Sequence, residues 1–387
     1  MTKTIHWLGA GLSSAPGILR LNKGQTKLTV WNRRIEKAKA ILNDDTVDVQ
    51  ALEWEALSTA VQAGDVVVSM LPATMHVKVA SLCLEKGAHF VSSSYISPEM
   101  SALNESAEAK GLSFVNEVGL DPGIDHLFAH DLVHKYRESG AFDEENELYF
   151  TSYCGGFPKV ANDFKYKFSW SPLGVLKALK SPAKWLAQGQ EKTSQAPWEA
   201  LSEYTVSHQG KQETFQAYPN RDSIPFISQY EFEKQWNVKE FVRGTLRLSG
   251  WSTAWQYLFD QVAEITESSL SEQEKENQLA QVSQQLEEKY SYDDGEPDRV
   301  VLAVELTAKK GEEVVWKHSY FMDEAGNKND QAMARLVSLP VSIAIEAVIS
   351  GDMPSGVSAA PHVNEQVQDW LNQLTNLGEK FSLRNHL

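Results

Sequence analysis

The stretch Gly9-Ala10-Gly11-Leu12-Ser13-Ser14-Ala15-Pro16-Gly17 follows directly on the apolar run Ile5-His6-Trp7-Leu8. A glycine right after a strand permits a tight bend, and a second one lets backbone approach a phosphate-bearing ligand closely. Pro16 suits a first helical turn, where the N–H it lacks would have no partner. The remaining N–H groups of that turn are then available to an anion. Ser14 stands where the usual pattern has a third glycine, and its small side chain still allows close strand–helix packing. Taken alone, the stretch also has a plainer alternative, an ordinary glycine-rich strand–helix turn.

The residues beyond it decide between the two. Short β-rich runs at 5–8, 28–31, 66–70, 90–92 and 113–115 alternate with helical stretches at 16–21, 36–42, 75–85 and 98–110. Parallel neighbours need crossovers, so this rhythm predicts an α/β fold with a Rossmann-type, doubly wound parallel sheet over 1–125. The second strand runs into Asn32-Arg33-Arg34. An acid there would accept from a ribose 2′-hydroxyl, whereas an arginine accommodates a 2′-phosphate. The reading is NADP(H) through Arg33, against the alternative of two solvated arginines at a helix end.

After 125 the rhythm changes. A helix is expected over 126–139, a strand over 147–154, an irregular or helical connection over 181–198, and polar helix over 256–290. Strands at 299–308 and 314–321 precede a helix over 332–350 with Pro340 inside it, then another over 366–374. These define a mixed α/β substrate domain over 126–349 with a helical insertion around 180–290, while 350–387 returns to the first domain.

Composition narrows the function. The net charge of −16, without a long Lys/Arg run, argues against nucleic-acid and anionic-membrane partners. Two cysteines form no disulfide framework and suit a reducing compartment. The first residues, Met1-Thr2-Lys3-Thr4, have no signal-peptide layout, and no apolar run is read as long enough to span a bilayer. The expected location is the cytoplasm. No Cys/His set has metal-ligand spacing, so no metal is expected.

Three further stretches stand at strand ends, where open α/β sheets bind ligands. Ser92-Ser93-Ser94-Tyr95-Ile96-Ser97-Pro98 is rich in hydroxyls. Asn116-Glu117-Val118-Gly119-Leu120-Asp121-Pro122-Gly123-Ile124-Asp125-His126 gathers carboxylates, an imidazole and a turn. Ser152-Tyr153-Cys154-Gly155-Gly156-Phe157-Pro158 brings a thiol to a strand end beside glycines that let a ligand approach.

With these residues the chain resembles the saccharopine dehydrogenases, above all their NADP-linked, L-glutamate-forming saccharopine reductases. The stretches GAGLSSAPG, VSSSYISP, NEVGLDPGIDH, SYCGGFP, YKFSWSPLGVL, YPNRDS and VRGTLR run in family order from Gly9 to Arg247, with MARLVSLP near the C-terminus. The polar segment 256–298 is shorter than its fungal counterpart.

The resemblance implies an oxidoreductase of lysine metabolism, most simply a homodimer. It interconverts saccharopine with L-glutamate and L-2-aminoadipate 6-semialdehyde by hydride transfer at a C=N bond. It also implies that Ser94, Tyr95, Asp121, Arg221, Thr245 and Arg247 contact saccharopine, joined by Arg243, since three carboxylates call for several forked cations. Gly9, Gly11, Leu12, Ser13, Asn32, Arg33, Leu71, Pro72, Leu120 and Pro122 would line the cofactor, and Trp170 would cover its nicotinamide end unless it is a core residue.

Tyr95, Asp121 and Cys154 match the positions nearest the reacting centre, and each can carry a proton. They have plainer readings too: a rim hydroxyl, a turn residue before proline, and a small buried hydrophobe. Of these, Asp121 is read as a contact to the substrate amine, and His126 as a helix-start residue. The rival readings are an enzyme for another amino-acid imine, of carboxynorspermidine or lysine type, and a non-catalytic protein that senses NADPH.

Overall fold

The computed structural model describes residues 3–208 and 210–387. Met1, Thr2 and Gln209 lie outside the described residues, and with them part of the N-terminal expectation. The chain forms two compact units, Met1–Leu127 with Met333–Glu379, and Phe128–Ala332 with Lys380–Leu387.

The first unit is built on a seven-stranded sheet. Its order is Gly356–Ser358, Ser113–Val115, His89–Val91, Val66–Ser69, Thr4–Leu8, Lys27–Asn32 and Asp48–Ala51. Every neighbouring pair is parallel. Val66–Ser69 is buried along its whole length, as a central strand covered on both faces must be. The order reverses beside Thr4–Leu8, whose neighbours are the second and fourth strands in the chain. Such a switch point opens a crevice at the carboxyl ends of the strands. Strand Asp48–Ala51 and helix Trp54–Ala60 are not foreseen by the sequence reading. The reason is local: this edge strand alternates exposed with half-buried residues and carries no apolar run.

Helix Ala332–Ser350 corrects two expectations. It was placed with the second domain, yet from Met333 on it belongs to the first unit. It is also long and apolar enough to cross a membrane by length and composition, contrary to the reading that no such run exists. Its apolar surface has another use, since 67% of that stretch is buried inside the protein. The Gly17 N–H donates to Ser338 Oγ at 2.9 Å, and Arg20 donates to Ser342 Oγ at 3.0 Å and to Glu346. A methyl group added at Gly17 would lie 2.3 Å from the Ser338 carbonyl oxygen. Gly17 thus makes a close helix–helix contact, while Ser14, at the place of the fingerprint's third glycine, donates its hydroxyl to the Gly9 carbonyl at 3.1 Å. The return of the C-terminus is partial, because Phe381–Asn385 pairs with Glu313–Ala325 in the second unit.

The second unit holds a nine-stranded mixed sheet. Its main path is Ser202–His208, Lys211–Pro219, Asn237–Leu248, Glu147–Pro158, Asp298–Lys310, Glu313–Ala325 and Phe381–Asn385. Asn237–Leu248 and Glu147–Pro158 run parallel, and the other pairs on this path are antiparallel.

The expected helical insertion around 180–290 is strand-rich up to Leu248 and carries its long helices only beyond it. Ala183–Ala187 and Gln190–Ser194 pair as an antiparallel hairpin, and only Trp251–Glu267 and Glu272–Tyr290 are long helices. The Lys/Gln/Ser composition of 181–198 reflects an exposed hairpin arm, since residues 190–193 are all exposed. The two helices bury Trp251, Trp255, Phe259, Leu279 and Val282 in one cluster with Phe164, Tyr166 and Tyr218. A second cluster, including Tyr153, Phe157, Phe215, Val242, Leu246 and Val301, fills the other face of the sheet.

Candidate functional site

In the first unit Gly9, Asn32 and Leu71, three of the predicted nucleotide residues, come together at the switch point. Gly9 takes φ +94°, and a side chain there would strike the Met70 carbonyl oxygen at 2.9 Å and the Leu71 side chain at 3.3 Å. Leu71 is thereby brought beside the turn, with exposed Pro72 next to it. Asn32 Oδ1 accepts from the Ala10 N–H at 3.2 Å, so Asn32 braces the glycine loop from the end of the second strand. Nothing lies within 4 Å of a methyl group built on Gly11. The protein itself does not require glycine there, whereas a pyrophosphate against the backbone would. Leu12 is exposed and Ser13 half-buried. Arg33 and Arg34 are exposed, and among the described residues no ion pair engages either. This set fits a dinucleotide carrying a 2′-phosphate.

Two strand-end loops of the same unit are locked together by Glu117. This buried residue accepts from the Ile96 N–H through Oε1 at 2.9 Å, and its Oε2 lies 3.0 Å from His126 Nε2. The Glu117 N–H in turn donates to the Ser94 carbonyl at 3.1 Å. These bonds set Tyr95 opposite Asp121, and the phenol donates to Asp121 Oδ1 at 3.0 Å. Asp121 is half-buried, while Leu120 and Pro122 on either side are buried. His126 is the third residue of helix Ile124–Glu138, where it pairs with Glu117. Glu117 is one of several carboxylates in its motif, and its bonds to both Ile96 and His126 single it out.

In the second unit, Cys154, Thr245 and Tyr218 stand in one row across three strands, by the pairings Thr245↔Cys154 and Tyr218↔Thr245. Side chains alternate along a strand, so Arg243, Thr245 and Arg247 share a face. Arg243 is buried with its guanidinium 4.0 Å from the Phe226 ring centre. Arg247 is only 8% exposed. Its guanidinium carbon lies 5.1, 5.6 and 5.4 Å from the ring centres of Tyr166, Tyr218 and Trp251. Its Nε has no hydrogen-bond partner, Nη1 reaches only the Leu246 carbonyl at 3.4 Å, and among the described residues no carboxylate pairs with it.

A buried charge is costly unless compensated, and among the described residues the three rings supply that compensation by cation–π contact. The aromatic rings around it were missed because single Tyr and Trp residues read as core. Arg221 is exposed, in a loop with φ +55°. Cys154 is buried.

Two readings are corrected here. Trp170 is 39% exposed and is not a core residue, its ring lying against Gly174. Gly155 is not open to a ligand, because a side chain there would meet the Leu246 carbonyl oxygen at 2.6 Å. Its glycine serves the packing of adjacent strands.

An open parallel sheet with a glycine turn at its switch point and an exposed arginine after its second strand defines a dinucleotide-binding α/β protein. Residues 5–115 match the family model of the saccharopine dehydrogenase NADP binding domain, and residues 119–378 that of the saccharopine dehydrogenase C-terminal domain. The chain belongs to the saccharopine dehydrogenase family.

It is 29% identical over 452 aligned residues to the NADP-dependent, L-glutamate-forming saccharopine dehydrogenase of Pyricularia oryzae, covering 99% of this chain and 98% of that one. The mitochondrial alpha-aminoadipic semialdehyde synthase of Rattus norvegicus is 32% identical over 260 residues, which is 65% of this chain and 27% of that protein. The apo structure of the L-Glu-forming saccharopine dehydrogenase from Saccharomyces cerevisiae superposes with a TM-score of 0.79 at 26% identity, over 100% of both chains.

Proposed function

We propose that the protein interconverts saccharopine with L-glutamate and L-2-aminoadipate 6-semialdehyde, with NADP(H) as its cofactor. The observation that carries this reading is Arg247, a buried guanidinium without a carboxylate partner among the described residues. Saccharopine has three carboxylates, and a forked cation held among aromatic rings suits one of them. Asp121 is assigned to the substrate amine, with Tyr95 fixing the carboxylate's orientation through its 3.0 Å bond. Ser94, Thr245, Arg221 and Arg243 are assigned to the remaining polar groups of the substrate.

The dinucleotide, when bound, exchanges a hydride with the substrate's C–N carbon. Gly9, Gly11, Leu12, Ser13, Asn32, Arg33, Leu71, Pro72, Leu120 and Pro122 are assigned to holding it, and Trp170 to its nicotinamide end. The chain's own contribution is then binding and orientation, which can supply much of the rate for a preorganised imine. Cys154 is kept as a third group able to carry a proton.

A cytoplasmic homodimer without nucleic-acid or membrane partners completes the proposal; the net charge of −16 supports only its last two points. The test is reduction of NADP by purified protein on addition of saccharopine. Activity with lysine or carboxynorspermidine instead would favour another imine substrate. NADPH binding without turnover on any of them would favour a sensor.

A further inference from the structure

Behind Ser94 stands a histidine that the proposed reaction leaves without a role. His76 opens helix His76–Lys86 and is 5% exposed. Its Nδ1 lies 2.8 Å from Ser69 Oγ and its Nε2 lies 2.8 Å from Ser94 Oγ. The ring meets Phe90 edge-on, with centroids 6.4 Å apart, so it is held on three sides. Ser69 is fully buried at the end of a central strand, whereas Ser94 is partly open to solvent. The backbone of Ser94 is held as well: its N–H donates to Ser92 Oγ at 3.0 Å and its carbonyl accepts from Glu117 at 3.1 Å.

We propose that His76 is a positioning residue for the reaction, holding the Ser94 hydroxyl from the interior in a fixed orientation toward the substrate. This rests on the assignment of saccharopine to the site. Burial lowers the pKa of His76 to about 4, so its ring is neutral at neutral pH. A neutral imidazole has one donor nitrogen and one acceptor nitrogen. The hydroxyl that meets Nε2 therefore has one direction already committed, and what it offers a ligand is fixed in advance. Preorganisation of this kind spares the cost of ordering a rotor on binding.

Two substitutions separate positioning from scaffolding. In His76→Gln the side-chain amide reaches the place of Nε2 and keeps the bond to Ser94. In His76→Asn it reaches only the place of Nδ1 and keeps the bond to Ser69. The Asn variant is expected to raise KM for saccharopine about 3- to 10-fold, the worth of one neutral hydrogen bond. Turnover and KM for NADP should stay within about 2-fold, and the Gln variant should stay within about 2-fold throughout. In a Ser94→Ala background the Asn change should add nothing further.

Equal losses in both variants, or losses that add to Ser94→Ala, would overturn the proposal. Should both variants fail to fold, the ring nitrogens can be followed by NMR in the Ser94→Ala protein. The Nε2 resonance of His76 should move when the hydroxyl is removed, and an unmoved resonance counts against the bond. Wild-type protein inactive on saccharopine would overturn the assigned substrate instead, and the NMR result would still judge the His76–Ser94 contact.

Discussion

The Tyr95 hydroxyl donates to Asp121 Oδ1 across 3.0 Å, joining residues from two different strand-end loops. That bond fixes the orientation of the carboxylate to which the proposed function assigns the substrate's amine. Asp121→Asn is therefore expected to raise KM for saccharopine about 10- to 150-fold, the worth of a charge-assisted hydrogen bond, with turnover nearly intact. A drop in turnover of about 100- to 10,000-fold, with one limb of the pH–rate profile lost, would instead make Asp121 the acid–base group. Cys154→Ser should be mild, and the double variant would show whether the two substitute for each other.

Arg33 is exposed and unpaired among the described residues at the end of the second strand. Arg33→Ala should weaken NADPH binding about 10- to 150-fold while leaving NADH binding nearly unchanged. Fluorescence titration of both cofactors provides the comparison. Equal affinities in the unaltered protein would remove the basis for the NADP assignment.

Gly11 and Gly17 should respond oppositely to the same substitution. Gly11→Val projects into open space, so the melting temperature should hold while NADPH binding is lost. Gly17→Val meets the Ser338 backbone within 2.3 Å of its first carbon, so the unit should be destabilised by about 3 kcal/mol or more. A folded Gly11→Val protein that still binds NADPH would show that the pyrophosphate does not lie there.

Arg247 offers a test in which stability and function part company. Arg247 is buried with no carboxylate partner among the described residues, so an apolar side chain of similar length removes the cost of burying its charge. Arg247→Met should keep or raise the melting temperature while raising KM for saccharopine about 10- to 150-fold. Lower stability with unaltered saccharopine kinetics would make Arg247 a structural residue.

Much of this was legible in the chain alone. The dinucleotide fold shows in sequence because its signals are local: a glycine turn, a strand period, a missing acid after the second strand. Each depends on residues within a few positions of one another. Arg243 and Arg247 could be listed in the same way, since the motif VRGTLR is continuous.

What the sequence could not supply depends on distance along the chain. Gly17 meets Ser338 across 321 residues, and that contact ties to the first unit an apolar helix that the order of elements along the chain assigns to the second. The hairpin over Ala183–Ser194 reads as a polar connection because exposed strands bury too few side chains to leave a period. Glu117 and His76 look like any carboxylate and any helix histidine until burial strips them of water. A buried polar group must find a partner in the protein, and which partner it finds is decided only when separate strand ends are brought side by side.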